Sequence, residues 1–314
     1  RIFGPSPFGL ELAVLDTTDP AAILAEESRT DLSRTLFIVS SKSGTTIEVE
    51  SLYKYFYGRC GRRGEQFVAI TDSSTPLDRL ARDAGFRRVF NNPSDIGGRY
   101  SALSYFGLVP AALSGVDVGR LLDSGIYMMR RCVPGIPPPD NPGFVLGAAL
   151  GEAALAGRDK VTLVFSSRLE PFGLWAEQLL AESTGKEGKG LVPVTGEPLG
   201  SPSSYGSDRI FVSVSLGEEG EEEVSSGLDA LEEAGHPVLR TRIEDLYELG
   251  GEFFRWEFAT AVAGAIIGID PFDQPNVAES KEATGALLKR FAEGRGLPDR
   301  VPEDAEERMC AVFR

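Results

Sequence analysis

Histidine is nearly missing from this chain of 314 residues, with His236 the one present. A multi-histidine metal site is thereby excluded. Cysteine is scarce as well: Cys60, Cys132 and Cys310 lie far apart, in no metal-binding or redox spacing. An odd count without a signal peptide predicts a reducing, cytoplasmic setting. No apolar run approaches the ~20 residues that cross a bilayer. Positive charge is in deficit, with 32 basic residues against 47 acidic ones and a net charge of −15. Long-range electrostatics therefore oppose nucleic acid and anionic membranes as partners. An anionic small molecule can bind only where a few cations are focused. Lys42, Arg99, Lys186, Lys189 and Lys281 are the candidates.

Hydrophobic residues, at 42%, are ample for a core, and the length exceeds what one core usually serves, so two lobes are expected. Strand-like runs at 35–39, 66–71 and 87–90 alternate with helical stretches at 46–60 and 75–84. A second such unit covers 160–165, 170–183, 191–194, 209–215, 219–234 and 237–243. This alternation predicts an α/β fold with parallel sheets covered on both faces. Residues 116–157 read as helical, broken by a proline-rich bend at 133–140 that suits a hinge. A long apolar helix is expected over 246–268. The chain opens on Arg1 and enters the strand-like residues 11–15 almost at once, which predicts a piece of a longer polypeptide.

The stretch that organises the rest is Ser41-Lys42-Ser43-Gly44-Thr45-Thr46, between the run at 35–39 and a helix carrying Glu48 and Glu50 in its first turn. Ligands on parallel sheets sit at the carboxyl ends of strands, where this loop would lie. Helix N-terminal N–H groups ringed by hydroxyls form an anion cradle, although an ordinary capped turn uses the same residues. The glycine and lysine spacing of a Walker A loop is absent. Further on, Gly97 and Gly98 precede Arg99, letting backbone and guanidinium approach a ligand together. Gln178 and Glu182, four apart, share one face of the helix at 170–183.

Four blocks, taken in order, resemble phosphoglucose isomerase. They are the loop at 41–46, then Gly97-Gly98-Arg99-Tyr100-Ser101, then Glu182-Ser183-Thr184-Gly185-Lys186, and Pro271-Phe272-Asp273-Gln274-Pro275-Asn276-Val277 with Lys281. The isomerase half of bacterial transaldolase fusion proteins is the nearest likeness. The resemblance implies a double SIS fold of two three-layer αβα sandwiches. Its first lobe would be residues 1–117, N-terminally truncated, and a helical connector would follow at 118–157. A second lobe at 158–292 and a tail at 293–314 complete the division.

The resemblance further implies isomerisation of glucose 6-phosphate and fructose 6-phosphate through a cis-enediolate. Ser41, Lys42, Ser43, Thr45 and Thr46 would grip the phosphate, and Gly98, Gln178 and Gln274 would contact the substrate. Glu182 would be the base, Arg99 the partner of the enediolate charge, and Lys281 a ring-opening group. No metal or cofactor is implied, and the assembly would be a homodimer or part of a fusion. Two departures stand out. A Gly-rich block expected upstream of Arg1 is missing, and so is the family's ring-opening histidine, whose place falls at 200–206. Lys281, Tyr205 or water would then open the ring. Other readings of the same residues are a non-catalytic SIS module, an isomerase that also takes mannose 6-phosphate, and an aminosugar-phosphate enzyme.

Overall fold

The computed structural model describes residues 2–217, 221–273 and 275–294. The chain divides into a unit of residues 1–272 and another of residues 273–314. The larger unit opens with helix α1 (Pro20–Arg29), strand β1 (Phe37–Ser40), helix α2 (Ile47–Arg59), strand β2 (Phe67–Asp72), helix α3 (Pro76–Asp83) and strand β3 (Arg88–Asn92). These strands pair in parallel in the order β1-β2-β3, with Ala69 between Val39 and Val89. Helices α4 (Tyr105–Leu113), α5 (Val118–Arg131) and α6 (Pro142–Leu155) follow.

A second parallel sheet is then built from strand β4 (Lys160–Phe165), helix α7 (Glu170–Thr184), strands β5 (Val192–Thr195) and β6 (Arg209–Leu216), helix α8 (Glu221–Glu233) and strand β7 (Val238–Ile243). Its strand order is β5-β4-β6-β7. Helix α9 (Leu249–Ile267) completes this unit. The smaller unit holds helix α10 (Pro275–Ala292), on which Leu287, Leu288 and Phe291 are exposed. No helix among the described residues is long and apolar enough to cross a membrane.

Local chemistry sets the boundaries. Asp19, Thr75 and Asn141 each accept a backbone N–H of the helix they precede, and each is followed by proline at the first helical position. The side chain satisfies an orphan donor there, and proline has no N–H to lose. Residues 67–70 of β2 are all buried, as befits a strand covered on both faces. The larger core surrounds Trp256 of α9, fully buried among Phe172, Leu180 and Ala259. Helix α9 can approach α5 and α6 closely because glycines lie at the contacts, Gly250 on α9 itself and Gly147 on α6. A Cβ on Gly250 would lie 1.8 Å from the Leu121 carbonyl oxygen, and one on Gly147 would lie 2.4 Å from that of Ala259.

Two expectations need correction. Residues 11–15 form no strand, and Leu12 and Val14 are exposed. Alternating apolar residues suit a strand, but a ladder also needs a neighbour for its N–H and C=O groups, and β1 pairs only with β2 among the described strands. The long helix begins later than expected. Residues 246–248 form a 3₁₀ turn closed by a reciprocal Asp245–Glu248 cap, and the α-helix runs from Leu249 until Gly268 stops it at φ +77°.

Candidate active site

The loop at 41–46 leaves the carboxyl end of β1. Gly44 takes φ +65°, and a Cβ there would lie 2.8 Å from the Leu77 backbone nitrogen, so both conformation and space demand glycine. The Ser41 hydroxyl lies 2.9 Å from that of Thr46 and accepts the Gly44 N–H at 3.1 Å. Ser43 and Thr45 hydroxyls are 2.9 Å apart. Thr46 occupies the N-cap of α2 without bonding the first turn through its side chain. Hydroxyls and first-turn N–H groups therefore converge at one helix end, an arrangement suited to a phosphate.

Lys42 is already engaged. Its Nζ lies 2.5 Å from Asp72 Oδ2 and donates to the Ser94 carbonyl at 2.8 Å. Its own carbonyl accepts from the Asp72 N–H at 3.2 Å and the Thr71 hydroxyl at 3.3 Å. Asp72 Oδ1 is buried with no hydrogen-bond partner among the described residues. The lysine thus ties its loop to β2 and to Ser94, which opens the segment leading to Gly97.

That segment ends in a 3₁₀ turn, Gly98–Tyr100, packed against α7. A Cβ on Gly98 would meet nothing within 4 Å, so the space beside it is open. The Arg99 side chain is 2% exposed. Its Nε donates to Ser183 Oγ at 2.9 Å, its Nη2 to the Pro271 carbonyl at 3.0 Å, and its Nη1 to Glu182 Oε2 at 3.3 Å. Glu182 is 40% exposed, and its other oxygen accepts from Gln178 Nε2 at 3.0 Å, one helical turn earlier. A half-exposed carboxylate thereby contacts a buried guanidinium directly.

Three of the four sequence blocks meet here. Gly98 and Arg99 come from one, Glu182 and Ser183 from the next, and Pro271 from the last. Lys186 donates to the Asp270 carbonyl, and Lys189 to those of Ile267 and Gly268 at 3.3 and 3.4 Å. These two lysines bond carbonyls at and just after the C-terminal end of α9, where cations complement the helix dipole. Their observed contacts hold the 267–271 segment in place. Gln274 lies outside the described residues, as does the side chain of Lys281.

Sequence reasoning missed Asp72 and gave no role to Ser183 or Tyr100. The last two lie inside the recognised blocks, and adjacency to Glu182 and Arg99 was the available signal. Burial pushes the Tyr100 phenol up, against the pull of its bond to Ser183 and of the Arg99 charge. Glu257 on α9 is pushed up to about 8 by burial, and its Oε1 has no hydrogen-bond partner among the described residues. Of the alternative ring-opening groups, Tyr205 accepts the Gly200 N–H at 2.8 Å and packs edge-on to Phe211 and His236. A separate cavity of about 520 Å³, lined by Phe3, Arg168 and Tyr247 among others, contains none of the expected site residues.

Comparison with known proteins places this geometry in context. The family model for phosphoglucose isomerase matches residues 5–194. A probable glucose-6-phosphate isomerase of Haloarcula marismortui is 29% identical over 94% of this chain and 75% of its own length. The glucose-6-phosphate isomerase of Prochlorococcus marinus is 27% identical over 98% of this chain and 67% of its own. Among solved structures, a glucose-6-phosphate isomerase from Chlamydia trachomatis superposes with a TM-score of 0.72 at 20% identity, covering 95% of this chain and 65% of that one. A hypothetical protein from Thermus thermophilus superposes with a TM-score of 0.77 at 25% identity, covering 87% and 76%.

Proposed function

This chain belongs to the phosphoglucose isomerase family, and on that premise we propose that Glu182 and Arg99 carry the interconversion of glucose 6-phosphate and fructose 6-phosphate. The observation that carries this reading is the pairing itself, a half-exposed carboxylate 3.3 Å from a buried, hydrogen-bonded guanidinium. From the open-chain aldose, Glu182 takes the proton on C2, and the electron pair moves through C1 to leave a cis-enediolate. Arg99 bears against the developing oxyanion charge, and the same proton, or one exchanged with water, returns to C1. The hydroxyl proton passes from O2 to O1, so the ketose differs from the aldose only in where two hydrogens sit. A positioned base typically contributes ~10²–10⁴-fold. Arginine is suited to the second task because it keeps its charge at any working pH.

Ser41, Ser43, Thr45, Thr46 and the first turn of α2 hold the phosphate in this reading, with Lys42 beside them. Gly98, Gln178 and Gln274 contact the sugar, and Lys281 assists ring opening. Lobes at 1–117 and 158–292, joined by a connector at 118–157, are the family architecture applied to this chain. A cytoplasmic setting rests on the cysteine usage, and assembly as a homodimer or within a fusion polypeptide rests on the resemblance alone. The decisive experiment is an NMR time course with fructose 6-phosphate in deuterated water. Glucose 6-phosphate carrying deuterium at C2 is expected. Glu182→Gln should lower kcat by ~10²-fold or more while sugar-phosphate binding persists. Unchanged turnover in that variant would remove Glu182 from the mechanism.

A further inference from the structure

Ser183 is wholly buried and directly follows Glu182 in the last turn of α7. Its Oγ accepts from Arg99 Nε at 2.9 Å and meets the Tyr100 hydroxyl at 3.2 Å. That hydroxyl also reaches the Pro271 carbonyl at 3.2 Å, which takes a second bond from Arg99 Nη2 at 3.0 Å. The four groups close a ring. The guanidinium donates to Ser183 Oγ and to the Pro271 carbonyl, and the Tyr100 hydroxyl, directed at the same two acceptors, shares its single proton between them. Ser183 Oγ thus receives Arg99 and Tyr100 together.

We infer that Ser183, with Tyr100, is a positioning residue for the isomerisation, fixing the guanidinium plane of Arg99 relative to the Glu182 carboxylate. The inference rests on the roles proposed above for Glu182 and Arg99. Glu182 and Ser183 occupy consecutive positions on one helix, so the base and the anchor of the arginine are set by the same stretch of backbone. A movement of α7 carries both together. Arginine is a long side chain with much rotamer freedom to lose. Bonds to two neutral, buried acceptors remove part of that freedom before substrate arrives, and neither acceptor is one that an anionic substrate would displace by charge. Electrostatic stabilisation depends on such preorganisation, because a charge already in place needs no reorganisation during the reaction.

Ser183→Ala removes the anchor, and Tyr100→Phe removes one hydroxyl while keeping the ring that packs 5.2 Å from Phe272. Steady-state kinetics should show kcat lower by ~10-fold in Ser183→Ala and by less in Tyr100→Phe, with KM within about twofold of native. A phosphorylated hydroxamate that mimics the planar enediolate should lose affinity in parallel with kcat, while inhibition by inorganic phosphate stays unchanged. In an Arg99→Ala background, adding Ser183→Ala should change the rate no further. Native kcat in both single variants, or equal losses of hydroxamate and phosphate affinity, would overturn the inference. If Arg99→Ala itself retains native kcat, the reading of the site fails instead. If it is inactive while both hydroxyl variants are unimpaired, the positioning role alone fails.

Discussion

Lys42 and Arg99 are both cations on turns that follow parallel strands, yet the fold mounts them differently. Lys42 is one-third exposed, and its amine is held by the Asp72 carboxylate and a carbonyl at the carboxyl end of the sheet. Arg99 is 2% exposed and is gripped by a buried serine and a backbone carbonyl contributed from two distant parts of the chain. A phosphate can compete with a carboxylate for an ammonium on a flexible stem. Arg99 also meets a carboxylate, Glu182, through Nη1, but its Nε and Nη2 are bonded to neutral, buried acceptors from which a phosphate has no comparable means of drawing them away. The difference suits two tasks. Capture of a phosphate tolerates exchange of partners, whereas stabilising a transient oxyanion requires a charge whose position does not change.

The largest effect should come from breaking the rigid mount. Arg99→Lys keeps the charge but replaces a planar fork with a single ammonium, which cannot serve Ser183, Pro271 and Glu182 in the same geometry. We expect kcat to fall ~10²-fold or more, the scale of losing one preorganised charge-stabilising donor, with a much smaller change in KM. Stopped assays across substrate concentrations would separate the two. A variant that lost KM and retained kcat would mean that Arg99 binds the ground state, and the contrast with Lys42 would disappear.

A smaller effect should come from releasing the other cation. Asp72→Asn removes the anion that now holds Lys42, so inorganic phosphate should inhibit more strongly and KM should fall, each by ~3–10-fold. Competitive inhibition by phosphate at low and moderate salt would measure this, with kcat near native. If affinity falls instead, the Lys42–Asp72–Ser94 tie serves to shape the loop, and the lysine is a strap before it is a phosphate ligand.

Much of this frame was legible in the sequence. Buried runs such as 67–70 and the Thr75-Pro76 and Asn141-Pro142 starts identify strands and helices by chemistry that acts over a few residues. Glu182 and Gln178 could be placed on one helical face from spacing alone. Residues 11–15 were misread because pairing is a property of two strands, and their alternation says nothing about whether a neighbour is present. The partners of the cations were hidden for the same reason. Nothing local distinguishes Lys42, which meets Asp72 across a strand order, from Lys186 and Lys189, whose observed bonds are to carbonyls beyond a helix eighty residues away. Ser183 reads as a helix residue until the turn at 98–100 is folded against it.

The smallest effect concerns the surroundings of the rigid mount. Glu257 is pushed up to about 8 by burial, and its negative field acts on the Tyr100 phenol when it ionises. In the unfolded chain the same carboxyl titrates near its ordinary value, 4.5. The folded state therefore holds a proton that the unfolded state has lost between about pH 4.5 and pH 8. The stability linked to this group is fully present below 4.5 and declines as pH rises through that window. Above it, the fold carries a buried charge. Glu257→Gln keeps a neutral group of similar shape and has nothing to ionise. Its apparent Tm should lie near that of the native protein at pH 5 and exceed it at pH 9, by about 1–2 °C for each kcal/mol of difference. If the two curves stay parallel from pH 5 to 9, Glu257 is not the buried acid that the fold makes it.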